Sequence, residues 1–264
     1  MIQEAKKLAV LIDAENTQLT ALPAIMTELA KYGYINVKRA YGDWASAHLK
    51  NWKNILNELA IQPIQQFSYT QGKNSSDAAM IIDAMDLLYS KKYNAFALIS
   101  SDSDFTKLAT RLKEAQIYVY GVGKKRTPIA FINACDAFLY IDVLKTLDSV
   151  DNTGEYSTES TQKSSWQSQY SRQQLCQDGQ LINALKNVAE AHSDENGWAS
   201  LNVCGSIIKR QSPDFDPRNY GYAKLSILIE ATGLFELKKE PIKDSNHIQT
   251  FYRDKKKHKV SASS

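Results

Sequence analysis

Short apolar, β-branched runs alternate with segments of helical spacing through the first half of the chain. The runs lie at 8–13, 37–41, 61–67, 95–100, 117–122 and 137–141. Between them, apolar residues recur at three- and four-residue intervals, as in Leu22, Ile25, Met26 and Leu29. This alternation predicts an α/β fold: a parallel sheet with helices on both faces.

The pattern breaks near Leu147. Residues 148–174 read DSVDNTGEYSTESTQKSSWQSQYSRQQ, rich in Ser, Thr, Gln and Asn with almost no aliphatic side chains. Such a stretch buries too little apolar surface to offset its ordering entropy, so it is expected to be a flexible linker. Helical patterns return at 181–192, 201–210 and 220–231, followed by β-like runs at 234–238 and 248–252. Helices closed by a hairpin predict a small winged helix over 175–253. The basic run RDKKKHKV leads into a tail, 254–264, expected to be disordered.

Composition adds limits. The chain has 264 residues, 43% of them hydrophobic, enough for two packed domains. A net charge of +3 says little about partners until the charge is mapped. The three cysteines, Cys135, Cys176 and Cys204, have no metal-clip spacing and are expected to be reduced thiols in a cytoplasmic protein. The opening MIQEAKKLAVLIDAEN carries too short an apolar run for a signal peptide, and no stretch has the length of a membrane span. No membrane partner is expected.

Candidate chemistry sits in aspartates at element ends. Asp13 ends the first run in VLIDAEN, Asp77 opens a helix in GKNSSDAAM, and Asp102 and Asp104 follow the fourth run in ALISSDSDF. In an open α/β sheet the carboxyl ends of the strands share one edge, where ligands bind. Asp13 and Asp102 meet there if strands one and four are neighbours. Clustered carboxylates repel unless a cation neutralises them. Mg²⁺ and Mn²⁺ prefer oxygen ligands and suit phosphodiester hydrolysis. Each aspartate alone could equally be a helix cap or turn residue; the joint pattern favours the metal.

Around them, helical spacing puts Ala78, Ile81, Ile82, Met85 and Tyr89 on one apolar face. Asp83 and Asp86 then fall on a solvated face. Asn16 is suited either to a metal-bound water or phosphate, or to capping the next helix. Lys73 is a phosphate candidate or a solvated loop lysine. Arg39 and Trp44, in RAYGDW, can hold a nucleic-acid strand by charge and stacking; Tyr41 and Trp44 can equally be core.

The strand ending LIDAEN, the strand VKRAYGDW, the helix start KNSSDAAMIIDAMD, and LISSDSDF followed by YVYGVG resemble the NYN family of PIN-like nucleases, particularly its bacterial members, over roughly residues 5–145. The resemblance implies a PIN-like, Rossmannoid sheet over 1–147 and metal-dependent cutting of single-stranded RNA with Mg²⁺ or Mn²⁺. The family's metal and catalytic aspartates fall on Asp13, Asp77, Asp102 and Asp104. It also allows a homodimer.

The segment from QLINALKNVAEA through FDPRNYGYAKLSILIEATGLFELK resembles a LOTUS (OST-HTH) domain over roughly 175–253. That implies a winged helix with RNA binding or protein docking. Lys209, Arg210, Arg218 and Lys224 flank Tyr220 and Tyr222, a combination suited to phosphate neutralisation and base stacking. The two tyrosines can instead pack the core. The expected function is an endoribonuclease with a tethered RNA-binding module. The rivals are a catalytically silent RNA-binding or scaffold protein, a structure-specific DNase and, further off, a small-molecule phosphatase.

Overall fold

The computed structural model describes residues 6–67, 75–145, 169–241 and 248–255. It falls into two compact units, Met1–Ser157 and Thr158–Ser264. The first runs β1 (Lys6–Asp13), α1 (Leu22–Ala30), β2 (Gly33–Gly42), α2 (Trp52–Glu58), β3 (Gln62–Gln65), α3 (Ser75–Tyr89), β4 (Ala95–Ile99), α4 (Thr106–Glu114), β5 (Tyr118–Gly123), α5 (Ile129–Ala134), β6 (Ala137–Tyr140) and α6 (Ile141–Lys145).

The strands form one six-stranded sheet in the order β3-β2-β1-β4-β5-β6, and every pairing is parallel. The order reverses between β1 and β4, both buried along nearly their whole length. Buried on both faces, they read as continuous apolar runs rather than alternating ones. Leu8, Val10 and Ile12 of β1 point into the layer with α1, α2 and α6. Ala9 and Leu11 point into the layer with α3, α4 and α5. β2 begins earlier than the apolar run at 37–41 suggests. Gly33 allows this: a Cβ there would stand 2.3 Å from the carbonyl oxygen of Lys6.

Helix α3 differs from its sequence reading. Its buried stripe is Ser76, Asp77, Met80, Ala84, Leu87 and Leu88, while Ile82 and Tyr89 are 64% and 66% exposed. SSDAAMIIDAMDLLY is apolar nearly all round, so spacing alone does not pick the core face. The observed stripe matters for function, because Asp77 lies on it and its carboxyl is carried inward.

The second unit runs α7 (Arg172–Gln177), α8 (Gly179–Ala191), β7 (Ala199–Ser200), α9 (Leu201–Gln211), α10 (Leu225–Thr232), β8 (Phe235–Pro241) and β9 (Ile248–Asp254). β7, β9 and β8 form an antiparallel three-stranded sheet, completing a winged helix. Leu185, Cys204, Leu228, Phe235 and Tyr252 are at its centre.

Three details correct the sequence reading. The polar segment expected to be linker through Gln174 gives its last residues to α7, which starts at a capping box between Ser171 and Gln174 and buries Leu175. The helix expected from Tyr220 starts only at Leu225. A 3-10 turn, Pro217–Tyr220, precedes it and ends at Gly221, whose φ of 81° favours glycine. Strand β7 was not anticipated; two residues are too few to show a period. Residues 148–168 of the linker and 256–264 of the basic tail lie outside the described residues.

Candidate active site

Parallel strands bring the ends of β1 and β4 side by side, with Ile12 in register with Ile99. Asp13 follows Ile12, and Ser100, Ser101 and Asp102 follow Ile99. Phe105, fully buried, anchors the 3-10 turn Ser103–Phe105 that turns the chain back into α4. Gly123, at the end of β5, approaches the same edge. A Cβ there would lie 2.7 Å from the Ser100 carbonyl oxygen and 2.6 Å from Thr127 Oγ1.

Asp13 is 2% exposed, and both of its oxygens are occupied. Oδ2 accepts from Ser100 Oγ at 2.7 Å and from Asn16 Nδ2 at 2.8 Å; Oδ1 accepts from the Asn16 backbone N–H at 3.2 Å. These three bonds fix the orientation of the buried side chain. Asn16 is therefore fixed on Asp13. Ser100 relays order outward, since its Oγ also accepts from the Asp102 N–H at 3.1 Å. Asp102 caps the 3-10 turn through Oδ1, which accepts from the Asp104 N–H at 3.0 Å. The capping role and the acidic cluster thus coexist in one residue.

Carboxylate oxygens of Asp77, Asp102 and Asp104 converge within 4.8 Å of one another. Among the described residues this is the one such group. Asp13, expected with the other three among the metal aspartates, is not a member of this group. Its oxygens are turned to Ser100 and Asn16, and its charge acts on the cluster from beneath. Asp77 reports the result: its pKa is pushed up to about 7, by burial first and then by Asp13, Asp102, Glu15 and Asp104. A carboxyl this reluctant to ionise beside four others marks a site short of positive charge.

Glu15 and Ser100 were missed by sequence reasoning. Glu15 stands in LIDAEN two residues past Asp13, and Ser100 is the first residue beyond β4. The doublet SS before DSD was the only signal for the serine.

The nucleic-acid candidates divide. Arg39 does not reach the edge. It lies two positions before Tyr41 in β2, paired with Asp83 of α3, which also accepts from the Tyr41 hydroxyl. The Arg39 Nε is buried without a partner. Asp83, expected on a solvated face, is therefore a half-buried ion-pair residue, and Tyr41 is core at 1% exposure. Trp44 does lie at the edge, half-buried, with its indole N–H donating to the Ile64 carbonyl at 2.9 Å and its ring against Trp52. Lys73 lies outside the described residues.

In the second unit the expected basic-aromatic cluster disperses. Tyr222 is 6% exposed and donates its hydroxyl to the Tyr170 carbonyl at 2.6 Å. Tyr220 packs edge-on against Tyr170 with ring centres 5.6 Å apart, and burial pushes its pKa up. Both rings serve the core rather than a base. Arg218 binds Asp216, with Nη2 to Oδ2 at 2.6 Å. Lys209, Arg210 and Lys224 remain exposed; Lys209 and Lys224 line one groove beside Gly205 and Ser226.

A doubly covered parallel sheet with carboxylates converging at its reversal point, followed by a separate winged helix, defines a class of nuclease-like α/β protein with an appended recognition domain. The chain belongs to the NYN-domain family, whose model matches residues 7–142. An OST-HTH/LOTUS domain follows, matching residues 176–247. The pair points to an RNA-associated nuclease. The NYN domain suggests hydrolase chemistry with a divalent metal, and the LOTUS domain indicates RNA binding. Among solved structures, a protein of unknown function from Vibrio parahaemolyticus is 19% identical. The match covers 54% of this chain and 97% of that one, with a TM-score of 0.45. An uncharacterised protein from Nitrosomonas europaea is 28% identical, over 40% of this chain and 92% of that one, with a TM-score of 0.27. No curated protein matches the chain. Among the described residues, no helix is long and apolar enough to cross a membrane.

Proposed function

We propose that this protein is an endoribonuclease that hydrolyses phosphodiester bonds of single-stranded RNA, dependent on Mg²⁺ or Mn²⁺, and that it works in the reducing cytoplasm. The observation that carries the reading is the convergence of Asp77, Asp102 and Asp104 above the buried Asp13 carboxylate. An all-oxygen donor set with no histidine or cysteine fits a hard divalent cation and argues against zinc. Asp77, Asp102 and Asp104 would hold the ion. A cation bound there would supply neutralisation of phosphate charge and a water of lowered pKa.

The chain's own residues do the rest. Ser100 and Asn16 hold Asp13 in one orientation, so its negative charge draws a cation into the cluster without competing for a fixed position in it. The cap from Asp102 to the Asp104 N–H fixes the spacing of those two carboxylates. Burial and the neighbouring carboxylates favour the protonated form of Asp77, and a cation held there would favour its charged form. The separate LOTUS domain raises the local concentration of RNA near the edge.

The test is incubation of the full chain with end-labelled single-stranded and duplex RNA and DNA, in Mg²⁺, Mn²⁺ or EDTA. Internal cuts confined to single-stranded RNA and abolished by EDTA are expected. Equal cutting of DNA, or cutting in EDTA, would overturn the reading.

A further inference from the structure

The edge of the sheet beyond Trp44 carries a second feature. Lys50 lies in the turn before helix α2, and Lys53, Asn54 and Asn57 stand on the polar face of the helix itself, all four exposed. Its opposite side buries Trp52 and Leu56. That polar face rims a groove of about 880 Å³ with Trp44, Leu49, Ile61 and Pro63 among the residues lining it. The volume is in the range, roughly 300–1,000 Å³, that suits a small ligand or a single nucleotide. Among the described residues no carboxylate lines it. Among the described residues neither Lys50 nor Lys53 takes part in an ion pair, unlike Arg39 and Arg218.

The Trp44 platform is rigid. Its backbone N–H donates to Gln65 Oε1 at 3.0 Å, its indole N–H to Ile64, and its ring meets Trp52 at 5.8 Å. The groove is also tied to the acidic cluster. Asp43, one residue before Trp44, accepts from Gln65 Nε2 at 2.9 Å and donates its N–H to Glu15 at 3.4 Å. Glu15 is one of the carboxylates that act on Asp77.

We propose that this groove is a substrate subsite, taking one nucleotide of the single-stranded RNA beside the scissile bond. Lys50 and Lys53 meet its phosphates, the Trp44 ring supports the base, and the Asn54 and Asn57 amides face the base edge. The charge argues for this occupant: two unpaired cations and two amides around an aromatic, with no acid, complement a polyanion carrying planar bases. Asn amides offer both donors and acceptors, so the subsite can discriminate among bases. The proposal rests on the reading of the acidic edge as the place where RNA is cut.

The experiment uses the full chain in EDTA and a fluorescent single-stranded RNA carrying 4-thiouridine. Photo-crosslinks to the native protein should map to the peptide spanning Trp44 to Asn57. The triple variant Lys50→Ala/Lys53→Ala/Asn54→Ala changes only exposed side chains. It should weaken binding about tenfold in anisotropy titrations and lower the salt slope by about 1.4, at roughly 0.7 per phosphate contact on a single strand. Crosslinks confined to other segments, together with native-like binding and salt slope in the variant, would overturn the subsite. Cleavage of RNA by a chain whose groove neither crosslinks nor matters leaves the nuclease reading standing and removes the groove. Crosslinking in the groove by a chain that never cuts RNA removes the nuclease reading and, with it, the subsite, leaving the groove an RNA-binding surface alone.

Discussion

The two units treat their candidate residues in opposite ways. In the NYN domain, aspartates far apart in sequence are brought to one edge: 13, 77, 102 and 104 assemble at the sheet's reversal point. In the LOTUS domain, residues close together in sequence are pulled apart: Tyr220 and Tyr222 enter the core, Arg218 turns to Asp216, and only Lys209, Arg210 and Lys224 stay outside. The difference lies in what the core can use. An aspartate has no place in an apolar core, so an aspartate at a strand end is free for chemistry. A tyrosine is a large apolar body with a polar tip, and a domain this small takes such rings to fill its interior.

The largest expected effect tests the first half of that contrast. Asp13→Asn keeps the shape and the contacts to Ser100 but removes the charge beneath the cluster. Cleavage should fall on the order of a thousandfold, with the melting temperature nearly kept. Cleavage and thermal melting in Mn²⁺ give both numbers; wild-type turnover would take Asp13 out of the account. Next in size is Ser100→Ala, which removes the hydroxyl linking Asp13 to the Asp102 N–H. A loss of about 10- to 100-fold in activity or cation affinity is expected, typical of groups that orient metal ligands.

The LOTUS half of the contrast is tested by separating stability from binding. Tyr222→Ala should cost about 3–5 kcal/mol, in the range for large buried aromatics, read by chemical denaturation of the second unit's transition. Tyr222→Phe, losing only the bond to Tyr170, should cost about 1 kcal/mol. Lys209→Ala/Arg210→Ala/Lys224→Ala should leave the melting temperature within a degree or two and reduce RNA affinity and its salt slope. If the tyrosine variants lose RNA affinity at unchanged stability, the rings face RNA after all. If the basic triple variant binds RNA as the native chain does, the domain docks protein instead.

The smallest effect is a pH dependence. In metal-free protein the Asp77 pKa is raised from 3.8 to about 7, with Asp13, Asp102, Glu15 and Asp104 facing it. A raised carboxyl pKa means that the folded state holds the proton more tightly than the unfolded one. Its contribution is present in full below the unfolded value and is lost as pH rises through about 7. Asp77→Asn should therefore raise the metal-free melting temperature at pH 8 and change it little near pH 4. A destabilising Asp77→Asn at pH 8 would mean that the carboxylates do not repel as described.

Much of the first domain was legible because β1, β4 and β5, buried on both faces, leave near-continuous apolar runs, while the more exposed β2 and β3 still overlap the runs at 37–41 and 61–67. The meeting of Asp13 and Asp102 at one edge was conditional on strands one and four being neighbours, and the observed order β3-β2-β1-β4-β5-β6 meets that condition. What stayed hidden needs three dimensions. The inward stripe of α3 is set by the sheet it covers, since Met80 and Ile82 look alike in sequence. That error also hid the Arg39–Asp83 pair, which depends on the same helix face. Ser100 is a small polar residue like many others until its hydroxyl is seen between Asp13 and Asp102. In the second domain, the αL turn at Gly221 shortened a helix that spacing alone extended to Tyr220.

The central claim is that the converging aspartates form a cation-dependent centre for cutting RNA. Single-turnover cleavage of an end-labelled single-stranded RNA by native and Asp102→Asn chains, titrated with Mn²⁺, tests it most directly. Asparagine retains the side-chain oxygen that caps the Asp104 N–H, so the turn survives while a ligand charge is lost. The account predicts saturable Mn²⁺ activation in the native chain, and in the variant a rate lower by about a hundredfold or more, recovered only in part at high Mn²⁺. Equal rates and equal Mn²⁺ midpoints in the two proteins would contradict it.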